Sequence, residues 1–200
     1  IPTKELALFE RTVGDIYRFE NGVYQKTYPQ DTPLTKDDIK RVIDAGFKTV
    51  FIAEKSFKIF QNNKKDLLLK NTRSLSMGDP LVSGSKQAGL LGIHMKELYK
   101  DPHNDDLLNI QFRSCQNFSK FLIANNSVSG PIYFNFKKLN QHFITSQPVL
   151  SSILLLGYLN SLKIYSSKEN EQYFITSFFK DIGMSYVPEK IYDKKDLNIK

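Results

Sequence analysis

The stretch Phe178-Phe179-Lys180-Asp181-Ile182-Gly183-Met184-Ser185-Tyr186-Val187-Pro188-Glu189-Lys190-Ile191-Tyr192 decides how this chain is read. Just upstream, Ser166-Ser167-Lys168-Glu169 forms a capping box. A helix is therefore expected from there, carrying Tyr173, Phe174, Ser177, Phe178 and Ile182 until Gly183. Lys180 and Asp181 fall at its end. An ammonium with an unperturbed pKa of about 10.4 brings a positive charge and no lone pair, whereas an imidazole offers a divalent ion a neutral lone pair near pH 7. Asp181 alone is too little to hold an ion.

Working back, a second helix is expected to begin near Ser146, with Pro148 at a tolerated first-turn position, and to run through Val149, Ile153, Leu156 and Leu162. Before it, Leu108, Phe112, Cys115 and Leu122 recur at helical spacing, with Phe118 and Phe121 beside them, which predicts an amphipathic helix over 106–124. His103-Asn104-Asp105-Asp106 has metal-capable side chains, but lies where Asp residues favour capping and the positive end of the helix dipole. From Gln61 to about Asp105 the turn signals Asn62-Asn63-Lys64-Lys65 and Met77-Gly78-Asp79-Pro80 and a flexible loop at Ser83-Gly84-Ser85 surround a helix expected from about Lys86 to Tyr99.

The beginning reads differently. Asp15-Ile16-Tyr17-Arg18-Phe19, the turn Asn21-Gly22 and Val23-Tyr24-Gln25-Lys26-Thr27-Tyr28 have the pattern of a β-hairpin, because Asn-Gly tolerates the positive φ angles of a two-residue turn. Thr35-Lys36-Asp37-Asp38 announces a helix with Ile39, Val42 and Ile43 on its apolar side, and Gly46 is placed to end it. Lys48-Thr49-Val50-Phe51-Ile52 then reads as a strand.

Several of these segments resemble bacterial HD-GYP phosphodiesterases. In that family a His opening H-S-x-x-V begins a helix, a Gly follows about one helix later, and L-H-D-I-G-K-x-x-I/V-P-x-x-I-L closes the next. This chain offers Thr145-Ser146-Gln147-Pro148-Val149, then Leu156-Gly157-Tyr158-Leu159, then Lys180-Asp181-Ile182-Gly183-Met184 with Val187-Pro188. By this resemblance Thr145 replaces the first His ligand, Lys180 replaces the second, Asp181 is retained, and Met184 replaces the Lys after the motif. His142, three residues before Thr145, is a candidate for a ligand shifted by a helical turn, or else a partly packed His near a helix start. The segments Asp31-Thr32-Pro33-Leu34-Thr35-Lys36-Asp37-Asp38-Ile39 and Gly46-Phe47-Lys48-Thr49-Val50-Phe51-Ile52 resemble the small module found ahead of many HD-GYP domains. The family's later His ligands, further Asp and G-Y-P loop have no counterpart before Lys200, so the resemblance implies the front part of the domain and a natural protein that continues further or has lost the remainder. Ile1 in place of Met equally implies sequence upstream.

Bulk properties bound the function. Two hundred residues, 40% of them hydrophobic, suffice for one good core or two small ones. The longest apolar run, Ile153-Leu154-Leu155-Leu156, is far short of the roughly 20 residues of a membrane span, and no signal-peptide pattern opens the chain. Cys115 is the single Cys, which excludes an internal disulfide framework, fits a reducing cytoplasm and reads as a small buried hydrophobe on a helix. The net charge of +7 favours anionic partners. Only five Arg occur, however, and the Lys residues are scattered among Asp and Glu, which argues against specific nucleic-acid binding. No Walker A loop, G-x-G-x-x-G, H-E-x-x-H, Cys pair or G-x-S-x-G elbow is present.

The expected fold class is α+β: a small N-terminal α/β module (β-hairpin, helix, strand) over 1–60, a partly helical connector over 61–105, and the front part of an all-α HD-like region over 106–200. The expected function is non-catalytic: a regulatory or protein-interaction protein of the cytoplasm on a degenerate HD-GYP scaffold, without metal or cofactor. Its expected partner is a protein or a second copy, within a cyclic di-GMP signalling background implied by the resemblance alone. Two alternatives stand beside it. One is a metal-dependent cyclic di-GMP phosphodiesterase completed by sequence beyond Lys200 or by a second chain. The other is a non-catalytic binder of cyclic di-GMP or nucleic acid.

Overall fold

The computed structural model describes residues 1–139 and 141–187, and the chain divides into two compact units, with the division between Lys64 and Lys65. In the first unit, β1 (Ile16–Glu20) and β2 (Val23–Tyr28) form the hairpin that Asn21-Gly22 specifies, with φ of 52° at Asn21 and 79° at Gly22. Helix α1 (Lys36–Asp44) starts on the reciprocal capping box of Thr35 and Asp38, and Gly46 follows it at φ 91°. The strand β3 (Phe51–Ile52) is shorter than the sequence pattern: Thr49 makes an isolated bridge to Pro2, and Val50 is spent on core packing.

The three strands form an antiparallel sheet in the order β2-β1-β3, with a register shift between Ile16 and Tyr17. Leu6, Ile16, Ile39, Val42 and Val50 make the core of this unit. Leu6 comes from a short 3-10 turn, Thr3–Leu8, that the sequence pattern does not announce.

Helix α2 (Glu54–Arg73) runs through the division, and the second unit is helical throughout its described residues. The span 61–105, expected as a connector, holds the greater part of α2 and all of α3 (Pro80–Lys100). Here Ser83-Gly84-Ser85 is not a loop. Asp79 caps the N-terminus by accepting from Leu81 N and Val82 N, and Pro80 sits in the first turn, so the helix starts six residues earlier than expected. Gly84 is inside it because a Cβ there would lie 2.4 Å from Ile132 Cδ1 and 2.9 Å from Phe121 Cε1.

Helix α4 (Asp105–Ala124) is capped by Asn104, whose side chain accepts from Leu107 N. Cys115, Phe118, Phe121 and Leu122 are buried on it, whereas Phe112 faces solvent. Helix α5 (Ser129–Lys138) has no counterpart in the sequence reading: Gly130-Pro131 looks like a turn, but it occupies the first helical turn, where Pro is tolerated, and Ile132 and Phe136 carry the burial.

Helix α6 (Phe143–Leu162) begins a turn before the expected start. Pro148 is therefore interior rather than in the first turn, removing the N–H that would have bonded the carbonyl four residues back. Helix α7 (Ser167–Phe179) opens on the Ser166–Glu169 capping box and stops at Phe179, short of Gly183, giving way to a 3-10 turn over Ile182–Tyr186.

The buried face of α3, from Gln87 to Leu98, packs against α4, α5 and α6, while α7 packs against α4 and α6. The buried polar side chains described in this unit are amides and hydroxyls, with the imidazole of His94. Gln87 accepts from Asn71 Nδ2 at 2.8 Å and donates to Thr72 Oγ1 at 2.8 Å, and the Thr72 and Ser114 hydroxyls are 3.1 Å apart.

Candidate functional site: the turn after α7 and the start of α6

Lys180 is the C-cap of α7 and Asp181 opens the following 3-10 turn. Their side chains form an ion pair although they are sequence neighbours, because α7 has ended and the backbone turns between them. Both are more than one-third exposed. Asp181 O accepts from Tyr99 OH at 3.0 Å and from Met184 N at 2.9 Å, which fastens the turn to the end of α3. Tyr186 adds a second tie, with its ring edge-on to His103 at 5.7 Å. Met184 is exposed.

Thr145 lies in the first turn of α6 and is buried. Its hydroxyl donates to His142 O at 2.9 Å, and the same carbonyl accepts from Thr145 N and Ser146 N at 3.0 Å each. His142 is the N-cap itself, with Nδ1 3.4 Å from Ile144 N. It is therefore a capping His rather than a packed one. The hydrogen bonds of Thr145 thus stay within the start of its own helix, whereas Lys180 and Asp181 are joined to one another.

This donor set does not fit a divalent ion. An ammonium occupies the Asp181 carboxylate, the Thr145 hydroxyl is spent on a carbonyl, and the His142 ring faces the α6 amides. Among the described residues no three His, Cys, Asp or Glu side chains gather into a metal-capable group. The motif residues Pro188 to Tyr192 lie outside the described residues.

Tyr99, His103 and Tyr186 hold the turn in place; Tyr99 and Tyr186 were not legible as site residues, and His103 was singled out for its metal-capable cluster rather than for this contact. The Tyr99 to Asp181 bond spans 82 positions, and no local pattern encodes such a pair. Cys115 is remote in character: burial pushes its thiol well above the ordinary range, which makes it a packing group.

The first unit is thus a small antiparallel sheet with helix α1, and the second is a set of packed helices whose last described one gives way to the Lys180–Asp181 turn. The solved structure of Bd1817, an HDG"Y"P protein from Bdellovibrio bacteriovorus, matches this fold with a TM-score of 0.60 at 14% identity, over 94% of this chain. This chain spans 61% of that protein's length. No family model and no curated protein matches the sequence. The chain therefore has the fold of an HD-GYP protein, in agreement with the α+β class expected from the sequence.

Proposed function

We propose that this chain is a non-catalytic regulatory or protein-interaction protein built on an HD-GYP-like scaffold. The observation that carries the reading is the Lys180–Asp181 pair, which puts a positive charge on the aspartate of the motif. Metal-assisted hydrolysis needs two or three neutral or anionic ligands and an open position where bound water becomes the nucleophile. Here Thr145 and Lys180 supply neither, and the ammonium neutralises Asp181 in the place of an ion. The Gly, Pro and apolar positions that shape the fold are kept, so what persists is a surface rather than a reaction centre.

The test is elemental analysis of the purified protein combined with a hydrolysis assay on cyclic di-GMP. The expected result is no turnover and no stoichiometric iron or manganese. Turnover by metal-bearing protein would overturn the proposal in favour of a phosphodiesterase. Calorimetric titration with cyclic di-GMP separates the remaining alternative, since silence is expected and saturable heat would make the chain a dinucleotide binder.

A further inference from the structure

Helix α6 carries no charged residue in its 20 positions, and among the described helices it is alone in this. It is long and apolar enough, by length and composition, to cross a membrane. One side is nevertheless a core face: Thr145, Pro148, Val149, Ser152, Ile153, Leu156 and Leu159 are buried, and the helix packs on α3, α5 and α7. The other side is left to solvent, with Phe143 68%, Leu154 56% and Tyr158 62% exposed.

That outer face has a regular period. Phe143, Gln147, Leu150, Leu154, Gly157 and Ser161 follow one another at spacings of 4, 3, 4, 3 and 4 along one seam of the helix, with Phe143, Leu150 and Leu154 its large apolar members. Such a seam is shaped to receive another helix. Nothing lies within 4 Å of the position a Cβ would take at Gly157, so the helix-propensity loss of about 1 kcal/mol relative to Ala is not repaid by packing inside the chain. A closely approaching helix would explain it.

We infer that this face binds a second copy of the chain, α6 against α6, antiparallel about a two-fold axis; the inference rests on the protein-interaction reading above and names the partner. Two arguments select the second copy. The first is charge: with a net charge of +7, most faces of the chain would bring like charges together across a two-fold, whereas α6 has none to repel. An acidic foreign helix drawn by the chain's cations would find none on this seam. The second is size. Antiparallel pairing in which the two residue numbers sum to a constant places Phe143 against Ser161, Gln147 against Gly157 and Leu150 against Leu154 of the second copy. The same register sets Tyr158 against Ser146. Large side chains meet small ones at the two ends, and at the centre the leucine pair Leu150–Leu154 forms twice about the two-fold as the apolar middle of the contact.

The experiment is analytical ultracentrifugation of the 200-residue chain. Wild-type protein is expected at twice its 23.1 kDa mass. Leu154→Lys, at an exposed position, should weaken association by about 10-fold or more while leaving the circular-dichroism melt of the monomer intact. Adding Leu150→Glu to Leu154→Lys should restore the dimer, because the new acid faces the new cation of the other copy. A monomeric wild type, a dimer indifferent to Leu154→Lys, or a monomer that floats with lipid vesicles instead would each overturn the inference. A monomer without turnover defeats the inference alone, and turnover by a dimer defeats the non-catalytic reading alone.

Discussion

The two units bury polar chemistry in opposite ways. The first fastens its elements with charge: Lys64 Nζ meets Glu5 Oε2 at 3.0 Å with both side chains more than nine-tenths buried, and Lys26 holds Asp15 at 2.5 Å across the hairpin. The second puts neutral amides and hydroxyls in its interior, as in the chain Asn71, Gln87, Thr72 and Ser114. The difference follows from core size. The sheet unit buries six apolar side chains, Leu6, Ile16, Ile39, Val42, Val50 and Phe60, so polar groups share in fixing the N-terminal turn, the Lys64–Glu5 pair beside the Thr3 hydroxyl on Phe47 O, whereas the helical unit has enough apolar surface to fix its helices by packing. A buried ion pair punishes the loss of one partner more than a neutral hydrogen bond does, since the survivor is a buried charge that has lost its counter-ion.

The largest effect is therefore expected at that pair. Glu5→Leu should destabilise the first unit by about 3–5 kcal/mol, read as a drop in the denaturant midpoint followed by tyrosine fluorescence. The double variant Glu5→Leu with Lys64→Met should recover most of it, because two apolar side chains of similar volume replace the pair without leaving a charge. Against this, Gln87→Met should cost about 1–3 kcal/mol. If the two single variants cost the same, the contrast between the units fails.

A packing variant sharpens the other half of the comparison. Gly84→Ala puts a methyl against Ile132 Cδ1 and Phe121 Cε1, and overpacking of this kind costs about 1–3 kcal/mol. Ile132→Val withdraws the nearest atom, so Gly84→Ala with Ile132→Val should be more stable than Gly84→Ala alone, as measured by thermal melting. Equal melting temperatures would mean that α3 and α5 are not in rigid contact.

Where the sequence announces structure, the signal is local chemistry. Asn21-Gly22 and the Thr35 and Ser166 capping boxes each decide an element within four residues and each is seen in place, while the cap expected of the Asp residues near 105 is supplied by Asn104. The misreadings share a cause, which is contact between distant segments. Gly84 looks like a loop residue because the reason for it is Ile132, and α5 escapes the sequence reading because its burial lies in Ile132 and Phe136. Thr145, Lys180 and Met184 are read as altered positions, and Asp181 as a retained one, through the family resemblance alone. Their surroundings were not, since Tyr99 reaches Asp181 through the fold alone.

The smallest effect compares the capping boxes, one in each unit. Hydrogen bonds from the Thr35 hydroxyl and backbone hold the Asp38 carboxyl below its ordinary 3.8, with Arg41 adding to the shift, and the Ser166 backbone and hydroxyl hold Glu169 below its ordinary 4.5. A carboxylate with a lowered folded pKa contributes stability that is complete above its unfolded value and is lost as pH falls through the folded one. Each unit should therefore soften on acidification, the helical one from about pH 4.5 and the sheet one from about pH 3.8. Glu169→Gln and Asp38→Asn should each flatten part of that acid limb in a thermal-melt series against pH. They should differ in salt: the Asp38 contribution includes the attraction of Arg41 and shrinks as ionic strength rises, whereas that of Glu169, made by dipoles of Ser166, holds. Equal salt responses would show that Arg41 adds nothing, and that the first unit is less dependent on charge than its buried pair implies.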